Sequence, residues 1–420
     1  MSEGRPSAAR RLPVATVGIV GAGQLGLMLC DAARRLGVAT CVLADRESDP
    51  AVSRADAAII GDRFDATSLQ RLADASDVIT FEIEHAETAV LQRIADAGTP
   101  VRPSPRALET VRDKWVQRAT LEQAGVPGPR SANGAGGNGA ANGHEAHGAG
   151  DTSHPNGRPE NRARGAGRTN GHPADFGYPF VQKLRRGGYD GRGVKVIRGE
   201  HEELLPGESM FEELVDISCE VAVLVGRTPS GVESVYPAVR MEFDPVENIC
   251  TRCLLPAGLS AELEREARRV ASSAVAALGI VGMCAVELFI THDRRVLVNE
   301  LAPRPHNSGH LTIEASATSQ FEQHLRAILD LPLGSVATIR PSVMVNLLGT
   351  GEPGPPMVEG LEHLLALPEA HLHLYDKQPS KPGRKMGHIN LCSETLAQAQ
   401  EHADIAERVV RIRGDGYHSD

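Results

Sequence analysis

Along the first hundred positions, short apolar runs alternate with segments of helical periodicity. TVGIVGAGQLGLML (16–29) carries Val17, Ile19 and Val20 into a glycine turn and then a helical pattern. TCVLAD (40–45), DAAIIGD (56–62) and DVITFEIEH (77–85) predict three further strands with helix-like segments between them. Strands alternating with helices predict a parallel sheet covered by helices. The spacing over 105–124 predicts one long helix, stopped by Gly125 and Pro127. The pattern then vanishes. Residues 131–174 contain no Val, Ile, Leu, Met, Phe, Tyr or Trp. Such a stretch buries too little surface to offset ordering entropy and is read as a disordered insertion.

Patterning resumes with VQKL and VKVIR, two strands flanking the glycine-rich turn RRGGYDGRG (185–193). FEELV, CEVAVLVG and ESVYPAVRMEF predict more strands, and 261–279 a strongly patterned helix. Two strands over 281–301 are joined by the polar turn HDR, and a helix is expected around 318–330. The last section, 341–413, mixes short strands and helices.

The 420 residues suffice for two to four domains, and 41% hydrophobic content is ordinary for a globular chain. A net charge of −10 and 3% aromatic residues argue against nucleic-acid binding by bulk charge or base stacking. Seven cysteines, an odd number, suit a reducing compartment better than a disulfide scaffold. The start MSEGRPSAARRLP has no apolar core, so no signal peptide is expected. The most apolar stretch, 271–290, contains Ser272, Ser273 and Glu287 and divides into helix-like and strand-like halves, so no membrane span is expected.

Five motifs carry chemistry. Gly21, Gly23 and Gly26 stand between a strand and a helix, where backbone N–H groups turn toward an anion. With Asp45 at the end of the next strand, this turn alone would suit a dinucleotide enzyme. Lys183 precedes the run Gly187–Gly193, which has the makings of a flap over polyphosphate, with the lysine as a point charge. Pairing around the HDR turn puts Glu287 nearly opposite Glu300. Two carboxylates in apolar strands call for a compensating divalent cation, and Mg²⁺ completes such a shell with phosphate oxygens. The loop 302–310 offers Arg304, His306, Asn307 and His310 for anion positioning and proton handling. Lys377, Arg384 and Lys385, among Pro379, Pro382 and Gly383, read as a phosphate-monoester pocket. Cys250 and Cys253 form a CxxC without a partner pair, which is not read as a zinc site.

Together and in order, these motifs resemble the ATP-grasp superfamily and, within it, the N5-carboxyaminoimidazole ribonucleotide synthetase family. The matching segments are GAGQLGLML, DVITFEIEH, GYPFVQKLRRGGYDGRG, VNELAPRPHNSGH, SQFEQHLRAI and YDKQPSKPGRKMGHIN. The resemblance implies an architecture of α/β and α+β parts. A Rossmann-like pre-ATP-grasp domain would occupy 14–103, and a lid domain 104–215 would carry the insertion 131–174. An ATP-grasp C-terminal lobe with the Mg²⁺ and ATP site would span 216–340. A small subdomain over 341–413 would complete the ribotide phosphate pocket. The implied activity is an ADP-forming carboxylation of 5-aminoimidazole ribonucleotide with bicarbonate, through carboxyphosphate, in purine biosynthesis. ATP and Mg²⁺ (or Mn²⁺) are the implied cofactors, and a cytoplasmic homodimer the implied assembly. No nucleic-acid or membrane partner is expected.

Residue by residue, the resemblance implies that Lys114 and Lys183 contact ATP phosphates, beneath a flap of Gly188, Tyr189, Asp190, Gly191, Arg192, Gly193 and Val194. Glu212, Glu213, Leu214 and Val215 match the segment that reads adenine, and Glu220 the acid that holds the ribose. Arg240 and Asn299 join the nucleotide set. Glu287 and Glu300 match the metal ligands. Asp190, Arg304 and His306 match the reacting centre, where either Asp190 or His306 would manage the proton. Gln24, Glu84, Asn307, Lys377, Arg384 and Lys385 match the ribotide site. The rival readings are another ATP-grasp ligase such as formate-dependent glycinamide ribonucleotide transformylase, a catalytically inactive relative, and an NAD(P) oxidoreductase on the first motif alone.

Overall fold

The computed structural model describes residues 12–134, 177–188 and 193–416. The chain forms two compact units, Met1–Pro129 with Val215–Asp420, and Arg130–Leu214. In the first, β1 (Thr16–Val20), β2 (Ala39–Ala44), β3 (Ala57–Ile60) and β4 (Val78–Phe81) form a parallel sheet in the order β3-β2-β1-β4. They alternate with α1 (Gln24–Arg35), α2 (Ala66–Asp74) and α3 (Thr88–Asp96). β1, β2 and β4 are almost wholly buried, which is why they read as continuous apolar runs. The strand anticipated over 77–85 ends at Phe81.

The helix predicted over 105–124 is two helices, α4 (Pro105–Arg112) and α5 (Lys114–Gln123). Asp113 has an extended backbone, and its carboxylate accepts hydrogen bonds from the N–H groups of Trp115 and Val116. It is the N-cap of α5, and the apolar spacing runs on through the break. Both helices belong to the larger unit, although residues 104–129 were expected in the lid.

The smaller unit is an antiparallel sheet of β5 (Ser131–Asn133), β6 (Phe180–Leu184), β7 (Val194–Ile197) and β8 (Ser209–Glu213), in the order β5-β8-β6-β7. Phe180, Ile197 and Phe211 form its core. Of the disordered insertion expected from 131, Ser131–Asn133 is a strand that pairs with β8, with Ala132 buried. Short polar residues gave no strand signal there; the partner strand supplies the order. Positions 135–174 of the expected insertion lie outside the described residues.

The rest of the larger unit is built on one 11-stranded sheet. Its strands are β9 (Ile217–Arg227), β10 (Glu233–Val235), β11 (Val239–Phe243), β12 (Cys250–Leu255), β13 (Gly282–Thr291), β14 (Val296–Ala302), β15 (Ser342–Glu352), β16 (Pro356–Glu359), β17 (Ala370–Leu374), β18 (Lys385–Cys392) and β19 (Arg411–Asp415). The main path is β14-β13-β9-β11-β12-β15-β18-β17. β12 pairs with β15, so the segments expected as a lobe (216–340) and a C-terminal subdomain (341–413) share this sheet. The sheet therefore carries the carboxylate hairpin at one end and the basic C-terminal strand toward the other. α6 (Ala261–Ala277) packs Val270, Ala271 and Ala274 against Val223, Val286 and Val298. The apolar stretch 271–290 divides between α6 and β13. Among the described residues no helix is long and apolar enough to cross a membrane. α7 (Thr312–Ala315) and α8 (Gln320–Ile328) follow the 302–310 loop, while α9 (Leu361–Leu365) and α10 (Leu396–Val409) lie in the C-terminal part.

Candidate active site

β13 and β14 pair so that Glu287 stands directly opposite Glu300. The register then slips, because Leu288 faces Val298 and Asn299 becomes the extra residue of a β-bulge. The buried Arg118 of α5 donates from Nη2 to the Asn299 carbonyl at 3.2 Å and holds the bulge. The break at Asp113 puts Lys114 in the first turn of α5, where its ammonium is hydrogen-bonded to Glu300 Oε2. His306 Nε2 lies 3.5 Å from Glu287 Oε1. Burial, and then the charges of Glu300 and Glu220, push the Glu287 carboxyl well above its ordinary range. Glu220 lies on the same face: Phe289 faces Glu220 across the β13–β9 pair, and Glu287 faces Ala222.

Among the described residues, no group of three or more His, Cys, Asp or Glu side chains is arranged to hold a metal ion by itself. Two facing carboxylates, one of them with its proton affinity raised by burial and by the other's charge, fit an ion that takes two protein oxygens and completes its shell with phosphate and water. Glu287 and Glu300 meet that description.

The glycine turn does bind an anion, and the anion is internal. Glu82, just past β4, accepts hydrogen bonds from Gly23 N–H (Oε1, 2.6 Å) and Gly26 N–H (Oε2, 3.0 Å). Gly21 has φ +99°, and a Cβ there would stand 2.6 Å from Glu82 Cγ. The glycines therefore admit a carboxylate where a dinucleotide fold would admit pyrophosphate. Asp45, the candidate ribose acid, is instead ion-paired with Arg63 at 2.6 Å. Sequence reasoning missed Glu82 by extending the strand through it; an acidic residue breaking an apolar run was the available signal.

Around this turn gather several of the ribotide candidates. Gln24 opens α1. Glu84 is ion-paired with Arg304 Nε at 2.6 Å. Burial pushes the Glu82 carboxyl up, whereas the glycine hydrogen bonds and the charges of Lys377 and Arg304 pull it down. Lys377 Nζ sits 5.4 Å from the centre of the buried Tyr375 ring and donates to the Lys385 carbonyl. Arg384 donates to the Pro379 carbonyl, and burial followed by the charge of Arg46 lowers its proton affinity. Arg46, after β2, is a neighbouring cation that no motif announced. Asn307 Nδ2 is buried with no hydrogen-bond partner among the described residues, as a group waiting for a ligand would be.

The smaller unit presents the other candidates. Lys183 on β6 is buried and paired with the buried Glu212 of β8 at 2.7 Å. Glu213 ends β8 and pairs with Arg130 at 2.6 Å; Leu214 beside it is exposed, and Val215 begins the return to the larger unit. β6 and β7 pair antiparallel, and Leu184 N–H donates to the Gly193 carbonyl. Gly188 lies beyond β6, Gly193 precedes β7, and Val194 opens β7. Tyr189, Asp190, Gly191 and Arg192 lie outside the described residues. Arg240 stands apart from the carboxylate site. Arg240 pairs with Val221 and Leu254, which places it on the sheet face opposite Glu220, where its Nε donates to the Ala257 carbonyl. Cys250 and Cys253 bring their sulfurs to 3.6 Å across a bulge at the start of β12.

Comparison with known proteins agrees with this geometry. The ribonucleotide synthetase preATP-grasp domain matches residues 14–112, the ATP-grasp domain 166–321, and the phosphoribosylaminoimidazole carboxylase C-terminal domain 342–402. The N5-carboxyaminoimidazole ribonucleotide synthase of Mycobacterium tuberculosis is 40% identical over 402 residues, covering 93% of this chain and 86% of that one. The Thermotoga maritima synthetase structure superposes with a TM-score of 0.81 at 36% identity, over 96% of this chain and 100% of that one. The Aspergillus clavatus synthase, solved with ADP and 5-aminoimidazole ribonucleotide, gives 0.77 at 30% identity, over 94% and 99%. With its three domains matched in order and its carboxylate hairpin intact, the chain belongs to the N5-carboxyaminoimidazole ribonucleotide synthetase family of ATP-grasp enzymes.

Proposed function

We propose that this chain carboxylates the exocyclic amine of 5-aminoimidazole ribonucleotide, using bicarbonate and ATP. The observation that carries the reading is the Glu287–Glu300 pair, with Lys114 and His306 against it and Arg304 close by on the following loop. A bicarbonate oxygen attacks the γ-phosphorus, the bond to the β-phosphate oxygen breaks, and ADP leaves with the electron pair. Carboxyphosphate then loses inorganic phosphate, its carbon passes to the amine nitrogen, and the amine loses a proton. Glu287 and Glu300 would hold Mg²⁺ or Mn²⁺, which would supply positive charge to the transferring phosphoryl oxygens. Lys114 and Lys183 balance phosphate charge, and Arg304 orients the anion. Glu212, Glu213, Leu214, Val215, Glu220 and Asn299 contribute to the nucleotide site in this reading, and the glycine-rich segment 188–194 shields a hydrolysable intermediate from water. Lys377, Arg384 and Lys385 hold the ribotide phosphate, with Gln24, Glu84 and Asn307 beside it. Homodimeric assembly and a cytoplasmic setting belong to the same reading, on family resemblance.

The test is ADP release by the purified chain with Mg·ATP and bicarbonate, with and without 5-aminoimidazole ribonucleotide, beside glycinamide ribonucleotide with formate. Release stimulated only by the imidazole is expected. Stimulation only by the second pair would move the chain to the transformylase reading, and stimulation by neither would favour an inactive relative.

A further inference from the structure

His306 is held at both its backbone and its ring. Gln320, fully buried in the first turn of α8, accepts the His306 N–H on Oε1 and donates from Nε2 to the His306 carbonyl, both at 2.8 Å. The Gln320 backbone N–H donates to Thr312 Oγ1, which donates in turn to the Gly309 carbonyl. Gly309 has to be glycine for this clamp, since a Cβ there would lie 2.2 Å from Gln320 Oε1. The ring is fixed by the buried Ser308. Its backbone N–H donates to His306 Nδ1 at 3.4 Å, and its hydroxyl lies 2.9 Å from the same nitrogen. A nitrogen that accepts a backbone N–H carries no proton, so the ring proton of neutral His306 sits on Nε2. That is the nitrogen facing Glu287.

We propose that Ser308 and Gln320 are positioning residues that hold His306 as a neutral Nε2–H donor. His306 then gives a hydrogen bond to an oxygen of bicarbonate or carboxyphosphate, and the amine proton goes elsewhere. This inference rests on the carboxylation reading for its chemistry, but the tautomer stands on geometry alone. A clamp on both backbone groups and one ring nitrogen leaves the imidazole little freedom, which is how a donor is pre-aimed at developing charge.

The test uses the full chain labelled with ¹⁵N-histidine. Long-range ¹H–¹⁵N spectra report each ring tautomer, and H306Q identifies the His306 signals by their loss. The wild type should show Nε2–H. S308A removes the hydroxyl but keeps the backbone donor to Nδ1, so the Nε2–H form should persist while kcat for imidazole-dependent ADP release falls about 10- to 100-fold, with KM for ATP within about twofold, because misaimed groups cost turnover more than binding. S308T should restore kcat. Q320E keeps the acceptor for the His306 N–H but loses the donor to its carbonyl, and should lower kcat in the same way. A wild-type ring protonated on Nδ1, or an S308A chain with unchanged kcat, would overturn the proposal. Should the wild type show no imidazole-dependent release, the carboxylation reading fails, and the spectra still decide the tautomer.

Discussion

His324 offers a quantitative test of how the packing at α8 is built. Its Nδ1 accepts the Met283 N–H of β13 at 3.0 Å, and its Nε2 lies 2.7 Å from Thr80 Oγ1 of β4. It therefore ties the parallel sheet to the central sheet as a neutral imidazole. Burial pulls its pKa from 6.5 to about 3. A histidine with a depressed folded pKa binds its proton more readily when unfolded. Its contribution is intact above the unfolded value and is lost as pH falls from 6.5 toward 3. Linkage over that window gives a loss of about 2 kcal/mol at pH 5 and about 4 kcal/mol at pH 3. His310 and His388, also buried with lowered proton affinity, act in the same direction, while Glu82 and Glu287, raised by burial, act oppositely. All four remain in H324Q, so comparison of the two proteins isolates His324. Urea unfolding at pH 7.5 and pH 5 should show the wild type losing about 2 kcal/mol more than H324Q. Equal losses would refute the assignment of His324 as the buried neutral link.

Substitutions at two further positions separate stability from activity. In E82Q the amide oxygen can serve only one glycine N–H and the NH₂ confronts the other, so the unfolding free energy should fall by about 1–3 kcal/mol, read from the urea midpoint. E82D, too short to reach both glycines, should do no better. E287Q removes one of two crowded carboxylates; its thermal midpoint without nucleotide should hold or rise, while imidazole-dependent ADP release falls about 100-fold or more. A destabilised E287Q would mean that the pair is not repulsive as built.

Much of this was legible because it rested on local pattern. The alternation of apolar runs and helical periods yielded the parallel sheet, and counting around the HDR turn placed Glu287 against Glu300, as the register has it. The failures share a cause, which is that a side chain reached across the fold. Asp113 splits an apparently continuous helix because its carboxylate captures two backbone N–H groups. Glu82 leaves its strand to occupy the glycine turn 59 positions away from Gly23. Ser131–Asn133 becomes a strand only because β8 is there to pair with it. Arg240 was grouped with the nucleotide residues by segment, but alternation along β11 puts it on the other face from Glu220. Gln320 and Ser308 carried no charge and no motif chemistry, so only their contacts with His306 single them out.

In the proposed reaction, bicarbonate is activated by phosphorylation before its carbon reaches the amine. The most direct test of this step is to run the reaction with ¹⁸O-labelled bicarbonate, Mg·ATP and 5-aminoimidazole ribonucleotide, and to examine the inorganic phosphate by mass spectrometry. Carboxyphosphate chemistry transfers one bicarbonate oxygen to phosphorus, so the account predicts one ¹⁸O in each phosphate released. Phosphate free of label, with carboxylated imidazole still formed, would contradict it.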